Sequence, residues 1–352
     1  VQATRLWDRV TDAGRQASVL NVPVTFPPQR DVQRMVSGFL SPGVDKAAHP
    51  DELRNELDGM GYRIDVNAKL GHDDDKTAFV EDAHRTLERR FEAFQSVLDR
   101  DDWDLFFGVF MTTDRVNHFL FKDYEHDNEN REAFLEFYEK VDEYIGEIRT
   151  SLPDDVTLVV ASDHGFTSLD YEVHCNAWLE EKGWLAYEDD DHDELGDISS
   201  DTRAYSFIPG RFYINLEGRE PDGAVPESEY DAVRSELKAD LEALEGPDGQ
   251  PVADRVVEKE DVFRGDHDDI APDLVVVPNH GFDLKSGFKG HDDVFGTGPR
   301  NGMHSFDNAS LFVDDPDVAI DDADIYDIAP TILDLLEVDY TRTEFDGATL
   351  CR

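Results

Sequence analysis

The sequence predicts an α/β fold, in which a mainly parallel sheet is flanked by helices and carries a smaller α+β insertion. Two observations support this prediction. Short apolar runs, typical of strands that are buried on both faces, alternate with longer segments of helical periodicity. In the middle of the chain this alternation stops, and an acidic stretch is followed by a hairpin pattern.

The first elements follow from periodicity and from turn residues. Residues 4–14 have helical spacing, and residues 17–23 are a short apolar run that predicts a buried strand. The segment 26–60 is rich in proline, glycine and charge, so we expect irregular structure there. A long amphipathic helix is predicted over 77–99, and the apolar run 103–111 predicts a second buried strand.

The same alternation continues after this strand and returns near the end of the chain. Residues 129–150 predict a second long helix, and residues 156–161 predict another buried strand. Strand pattern reappears at 309–313, and residues 327–338 predict a helix with a proline in its first turns. We therefore assign residues 1–165 and 301–352 to one core domain.

The intervening residues 166–300 have a different pattern, which predicts an inserted α+β cap subdomain. Residues 188–202 are acidic and weakly apolar, as in a solvated loop, and residues 203–216 read as a hairpin. A helix is predicted over 226–245 and a strand over 273–277.

Charge is the most unusual bulk property of the chain. The 352 residues include 81 acidic and 33 basic side chains, which give a formal net charge of −48. Carboxylates spread along the whole chain repel one another at low salt, and molar salt screens this repulsion. The composition therefore indicates a salt-adapted, halophilic protein of the cytoplasm in a high-salt cell interior, with an ordinary acidic protein as the alternative. A nucleic-acid scaffold role is disfavoured, because no basic stripe is present.

The sequence contains little information about cellular location or about disulfide bonds. No run of about 18 apolar residues is present, so no membrane segment is predicted. The start of the chain lacks the basic and apolar pattern of a signal peptide. The two cysteines, Cys175 and Cys351, have no metal-binding or disulfide spacing, which favours a reducing compartment.

Three short segments place metal-ligand residue types beside apolar strands. Asp114 and His118 follow the strand predicted over 103–111, and Asp163 and His164 follow the strand over 156–161. His304 precedes the strand predicted over 309–313. In open α/β sheets, sites form beyond the carboxyl ends of strands. Each segment alone also has an ordinary explanation: a helix N-cap with a surface histidine, a plain turn, and a structural histidine.

The order and surroundings of these segments resemble the type I phosphodiesterase/nucleotide pyrophosphatase family of the alkaline-phosphatase superfamily. That family shows TDxxxH, SDHG and GxH segments in this order. The resemblance runs from about residue 4 to residue 350 and includes further stretches of sequence: LNVPVTFPP (20–28), VSGFLSP (36–42), VHCNAWLEEKGWL (173–185), APDLVV (271–276) and DIAPTILDLLEV (327–338).

The resemblance implies an alkaline-phosphatase-like fold with two divalent metal ions. Asp114, His118 and His304 would hold one ion, and Asp163 and His164 would hold the other. Mixed Asp/His ligation favours zinc, with manganese as the alternative. In the family, a further Asp and a Thr or Ser nucleophile come from a segment upstream of the part matched here. The catalytic nucleophile is therefore not identified in this chain, and we expect it to lie upstream.

The function implied is metal-dependent hydrolysis of phosphodiesters or nucleotide pyrophosphates through a phospho-enzyme, with a small phosphorylated substrate as partner. Other activities of the superfamily remain as alternatives, namely phosphomonoesterase, phosphoglycerate mutase and sulfatase. A non-catalytic metal-binding homologue is the alternative from another class. The sequence does not define the substrate-binding residues or the oligomeric state.

Overall fold

The computed structural model describes residues 3–100, 102–189, 191–265, 267–291 and 293–352. The chain forms two compact units, one made of Val1–Phe166 with Ser305–Arg352 and the other of Thr167–His304. Helices and strands together confirm the predicted α/β class. The role of residues 166–300 as a cap subdomain stays a prediction.

Eleven α-helices and strands precede residue 165 in the described part of the chain. They are α1 (Leu6–Asp12), β1 (Ala17–Val22), β2 (Arg34–Ser37), α2 (Val44–Ala47), β3 (Ala48–His49), α3 (Asp51–Met60), α4 (Thr77–Leu98), β4 (Leu105–Gly108), α5 (Thr112–Glu125), α6 (Arg131–Ser151) and β5 (Val159–Ala161).

The rest of the described chain continues with strands and shorter helices. They are β6 (Gly165–His174), α7 (Cys175–Glu181), β7 (Ala204–Ile208), β8 (Arg211–Ile214), α8 (Tyr230–Glu242), β9 (Ala253–Glu258), α9 (Lys259–Val262), β10 (Leu274–Pro278), β11 (Gly281–Lys285), β12 (Phe295–Gly296), β13 (Gly302–Ser305), β14 (Leu311–Val313) and α10 (Ile328–Leu335).

The main sheet of the first unit has the strand order β3-β2-β1-β4. The central strand β1 runs parallel to both β2 and β4, with Val19 opposite Met35 on one side and Phe107 on the other. Because β1 and β4 are parallel, their carboxyl ends lie at the same edge of the sheet. This geometry places the segment that follows β4, with Asp114, at the edge where sites form in such sheets.

The two long helices α4 and α6 pack their apolar faces together, as the helical spacing predicted. Phe79, Leu87 and Phe137 are buried in the shared core. Phe91 of α4 stacks on Tyr144 of α6 with 3.9 Å between ring centroids. Burial of each such side chain stabilises the folded state by about 1.5–3 kcal/mol. Helix α5 contacts both α4 and α6, so the packed pair supports it.

The expectation of irregular structure over residues 26–60 is wrong. The segment contains β2, α2, β3 and α3. Met35 and Val36 of β2 are fully buried beside β1, although proline, glycine and charged residues surround this short strand in sequence. Helix α3 ends at Gly61, which takes a left-handed conformation with φ of 67°. Tertiary packing therefore outweighs the loop-like local composition.

The strand predicted over 156–161 forms, but its pairing differs from the expectation of a buried parallel strand. β5 pairs antiparallel with β14, in a two-stranded sheet. Val159 and Val160 are only partly buried. Apolar composition alone does not distinguish a fully buried strand from one in a small sheet.

The second unit contains the predicted hairpin. β7 and β8 pair antiparallel around the Pro209–Gly210 turn, where Gly210 has a φ of 70°. They belong to a four-stranded sheet with the strand order β7-β8-β10-β9. Helix α8 buries Val233, Leu237 and Leu241 in the core of this unit, in agreement with the predicted helix.

No helix in the described part of the chain is long and apolar enough to cross a membrane.

The excess of carboxylates leads to a prediction about salt. Even if each of the 33 basic side chains paired with one carboxylate, 48 acidic side chains would remain. Lowering the salt from about 1 M to about 0.1 M lengthens the Debye length from about 3 Å to about 10 Å. We expect the melting temperature to fall over this range, because the remaining carboxylates then repel one another. Sucrose, which does not screen charge, is the control, and a melting temperature independent of salt would contradict the salt-adaptation hypothesis.

Candidate metal centre

Helix α5 carries the first pair of predicted ligands. Three residues separate it from the end of β4, and Asp114 lies in its first turn. His118 follows one turn later, so both side chains lie on the same face of the helix. The Nε2 atom of His118 is 3.6 Å from Oδ1 of Asp114, and both side chains are largely buried. The sequence spacing of four residues therefore produces a compact carboxylate–imidazole pair.

The second pair follows β5. The Nδ1 atom of His164 lies 3.1 Å from the carbonyl oxygen of Gly165. A carbonyl can only accept, so this contact favours the tautomer with the proton on Nδ1 and the lone pair on Nε2. Nε2 is then the atom through which this imidazole can bind a metal. The carboxylate of Asp163 lies 3.7 Å from that Nε2, but its side chain is 82% exposed.

Gly165 allows a close approach between this segment and the chain near residue 305. A Cβ at position 165 would overlap the amide of Asn308 and lie 2.7 Å from the hydroxyl of Ser305. The Asn308 amide also donates to the carbonyl of Phe166 at 2.8 Å. Since His164 and His304 are each one peptide bond away from this contact, glycine is needed here to bring the SDHG and GMH segments together.

Three predicted ligands form one group in the described part of the chain. Asp114, His164 and His304 each offer one ligand atom, and these atoms lie within 4.8 Å of one another. One carboxylate oxygen and two imidazole nitrogens are a donor set that fits Zn²⁺ or Mn²⁺. The residues present therefore fit a divalent metal ion of the kind that the sequence implies.

The other two predicted ligands lie beside this group. His118 is next to Asp114, and Asp163 is next to His164, at the distances given above. The group combines residues that the resemblance assigns to two different ions. The division of all five residues between two metals therefore stays a prediction.

Sequence analysis missed an aromatic residue in the site. The ring of Phe166 packs edge-on against His118, with 5.1 Å between centroids. It packs in a tilted arrangement against His164, at 5.5 Å. Phe166 thus supports both imidazoles and limits their rotation. An apolar residue directly after the Ser-Asp-His-Gly segment was the available signal, but apolar residues are common in such positions.

A partly buried tyrosine further supports the α5 side of the site. The Tyr138 hydroxyl donates to Oδ1 of Asn117 at 2.9 Å. Burial raises the pKa of Tyr138 to about 12, and the nearby Asp114 carboxylate acts in the same direction. Tyr138 therefore stays protonated and acts as a hydrogen-bond donor that fixes α5 against α6.

These features define a class of protein: an α/β fold whose Asp and His side chains gather beside strand ends, in a donor set that fits a divalent metal. The chain belongs to the type I phosphodiesterase / nucleotide pyrophosphatase family, whose model matches residues 1–307. The family predicted from the sequence motifs is thereby confirmed.

Solved structures provide a second comparison. The chain is similar to phosphonoacetate hydrolase from Sinorhizobium meliloti 1021 in complex with phosphonoformate, at 17% identity and a TM-score of 0.46. The same enzyme in complex with phosphonoacetate matches at 19% identity and a TM-score of 0.45. Both matches cover 86% of this chain and 65% of the other, so the chain spans about 65% of the length of these proteins. A comparison with curated proteins finds no match.

Proposed function

We propose that the protein is a two-metal-dependent phosphoesterase that hydrolyses phosphodiesters or nucleotide pyrophosphates. The observation that carries the proposal is the group of Asp114, His164 and His304, whose ligand atoms lie within 4.8 Å of one another. Membership of the type I phosphodiesterase / nucleotide pyrophosphatase family supports the reaction class.

In this proposal Asp114, His118 and His304 hold one metal ion, and Asp163 and His164 hold the other. Two short distances support this assignment. His118 lies 3.6 Å from Asp114 and Asp163 lies 3.7 Å from His164, so each pair is close enough to bind the same ion. Zinc is favoured by the mixed oxygen and nitrogen donors, with manganese as the alternative.

Bound metal ions would supply positive charge that polarises a phosphoryl oxygen and stabilises a leaving oxygen. The protein's own residues orient the site. The carbonyl of Gly165 favours the tautomer of His164 with the proton on Nδ1, and Phe166 restrains the rings of His164 and His118. Such local positive charge matters in a chain of net charge −48, because the surrounding field repels a phosphorylated substrate.

We also propose that the protein works in the cytoplasm of a cell with a high-salt interior. The acidic excess supports this setting, since molar salt reduces both self-repulsion and the repulsion of an anionic substrate.

Removal of metal tests the proposed function. The complete protein is treated with a chelator and assayed on bis(p-nitrophenyl) phosphate and on p-nitrophenyl phosphate in molar salt. We expect hydrolysis of the diester to disappear and to return with Zn²⁺ or Mn²⁺, because the ligands in the site would lack the cations that stabilise the transition state. Diester hydrolysis that persists in the chelated protein would contradict metal dependence. A marked preference for the monoester would contradict the proposed substrate class.

A further inference from the structure

Arg115, the residue after Asp114, forms an ion pair with a carboxylate on a neighbouring loop. Its Nε and Nη2 atoms donate to Oδ2 of Asp65 at 3.0 Å and 2.8 Å. The two side chains are only 14% and 19% exposed. The guanidinium also lies over the ring of Phe39, 4.4 Å from its centroid. A planar cation held by a carboxylate and an aromatic face has little freedom to move.

This cation lies close to a proposed metal ligand. Nη1 of Arg115 is 3.6 Å from Oδ2 of Asp114, which is an ion-pair distance but longer than a hydrogen bond. A guanidinium that moved closer would occupy the carboxylate oxygen and would repel a divalent cation bound to it. The position of Arg115 therefore affects how well Asp114 can bind metal.

The loop that carries Asp65 is itself anchored. Asp65 accepts a hydrogen bond from the backbone N–H of Val66 at 2.8 Å. The two preceding carbonyls, of Arg63 and Ile64, accept from Nη2 of Arg90 at 2.9 Å and 2.6 Å. Arg90 is 0% exposed and also donates to the carbonyl of Val109 at 3.3 Å. One buried arginine thus connects the loop with the residue that follows β4.

A second ion pair fixes the same loop to α4. Asp82 of α4 accepts from Nη2 of Arg63 at 2.9 Å and from the backbone N–H of Asn67 at 2.8 Å. The backbone is therefore held by hydrogen bonds both before and after Asp65, which fixes the position of its carboxylate.

We propose that Asp65 is a positioning residue that keeps the guanidinium of Arg115 from closing to hydrogen-bond distance of Asp114, where it would compete with the metal for the Asp114 carboxylate. The inference rests on the proposed function, because it assumes that Asp114 is a metal ligand. The two partners are expected to have opposite effects on metal affinity. Asp65 raises it, whereas Arg115 lowers it when Asp65 is absent.

Zinc affinity, measured by competition with a chromogenic chelator, tests the inference on four proteins: wild type, D65N, R115Q and the double variant. We expect D65N to bind Zn²⁺ about 10–100-fold more weakly, the range found for residues that orient metal ligands. R115Q should change the affinity by less than about threefold, and adding R115Q to D65N should restore most of the loss, because the competing cation is then absent.

The matched control is Asp102→Asn. Asp102 pairs with both terminal nitrogens of Arg34 at 2.7 Å, near the amino ends of β2 and β4. Its loss should lower the melting temperature without changing zinc affinity. Asp65→Ser provides the same comparison if D65N does not fold.

The outcomes separate the two proposals. Wild-type affinity in D65N, or a double variant as weak as D65N, would overturn the positioning role of Asp65. D114N tests the metal site itself: if it binds zinc like the wild type, the ligand assignment fails. Loss of binding in D114N together with unchanged binding in D65N leaves the proposed function standing and rejects only this inference.

Discussion

The substitution His164→Ala should weaken zinc binding by more than about 100-fold and remove metal-dependent hydrolysis of bis(p-nitrophenyl) phosphate in the complete protein. Loss of a partner that only orients a ligand costs about 10–100-fold in affinity, and loss of a ligand nitrogen should cost more. His164 offers one of three ligand atoms within 4.8 Å of one another, and the carbonyl of Gly165 lies 3.1 Å from its Nδ1.

A matched histidine on the same unit serves as the control. His126 lies at the C-terminal end of α5, and its side chain is 56% exposed. His126→Ala should retain zinc affinity and turnover. Circular dichroism and melting curves show whether each variant is folded. Zinc affinity in folded His164→Ala equal to that of the wild type would reject His164 as a ligand.

The second large effect is on the stability of the second unit. Asp273 is 0% exposed and accepts hydrogen bonds from Nη1 and Nη2 of Arg219 at 2.8 Å and 2.7 Å. It also accepts from the Tyr230 hydroxyl at 2.6 Å and from the backbone N–H of Ile214 at 2.7 Å. Asp273→Ala leaves these donors without their acceptor. We expect a loss of about 3–5 kcal/mol in the free energy of unfolding, as for other broken buried ion pairs.

An exposed ion pair of the same unit provides the comparison. Arg203 and Glu236 are 2.8 Å apart, with side chains 39% and 59% exposed. Glu236→Ala should cost less than about 1 kcal/mol, because solvent screens the pair. Denaturant unfolding of the two variants checks the difference, and equal losses would contradict the structural role of Asp273.

The Asp273 effect should also depend on pH. Burial alone would raise the pKa of Asp273, but the hydrogen bonds from Arg219, Tyr230 and Ile214 hold it below its ordinary value of 3.8. A carboxyl group with a lowered pKa in the folded state stabilises the protein above its unfolded pKa. This contribution is lost as the pH falls through the folded pKa. The stability difference between wild type and Asp273→Ala should therefore be constant above about pH 5 and shrink below about pH 4.

Much of the fold could be predicted from the sequence because periodicity reports which faces are buried. The amphipathic pattern over 77–99 predicted α4, and the apolar run 103–111 predicted β4. Strand β2 was missed, since four residues are too few to show a period among neighbouring prolines and charges. The antiparallel partner of β5 was missed because pairing depends on contacts between segments about 150 residues apart in sequence.

The site could be predicted in part. Residue type and position beside strands indicated Asp114, His164 and His304, which the structure brings together. The supporting residues were not predicted, because their roles depend on contacts between distant segments. Asp65 pairs with Arg115 across 50 positions in sequence, and the amide of Asn308 reaches the carbonyl of Phe166 across 142. Neither pair follows a recognisable spacing.

Gly165 and Phe166 contact Ser305 and Asn308 where the chain leaves and re-enters the first unit. The backbone leaves the first unit after Phe166 and re-enters it at Ser305. The exit and entry points are joined by the Asn308 amide and by the β5–β14 pairing just beyond them. The 138 residues in between form the second unit, which begins and ends beside this contact. We expect changes in loops far from these two ends to leave this contact in place, and with it the positions of His164 and His304 beside it.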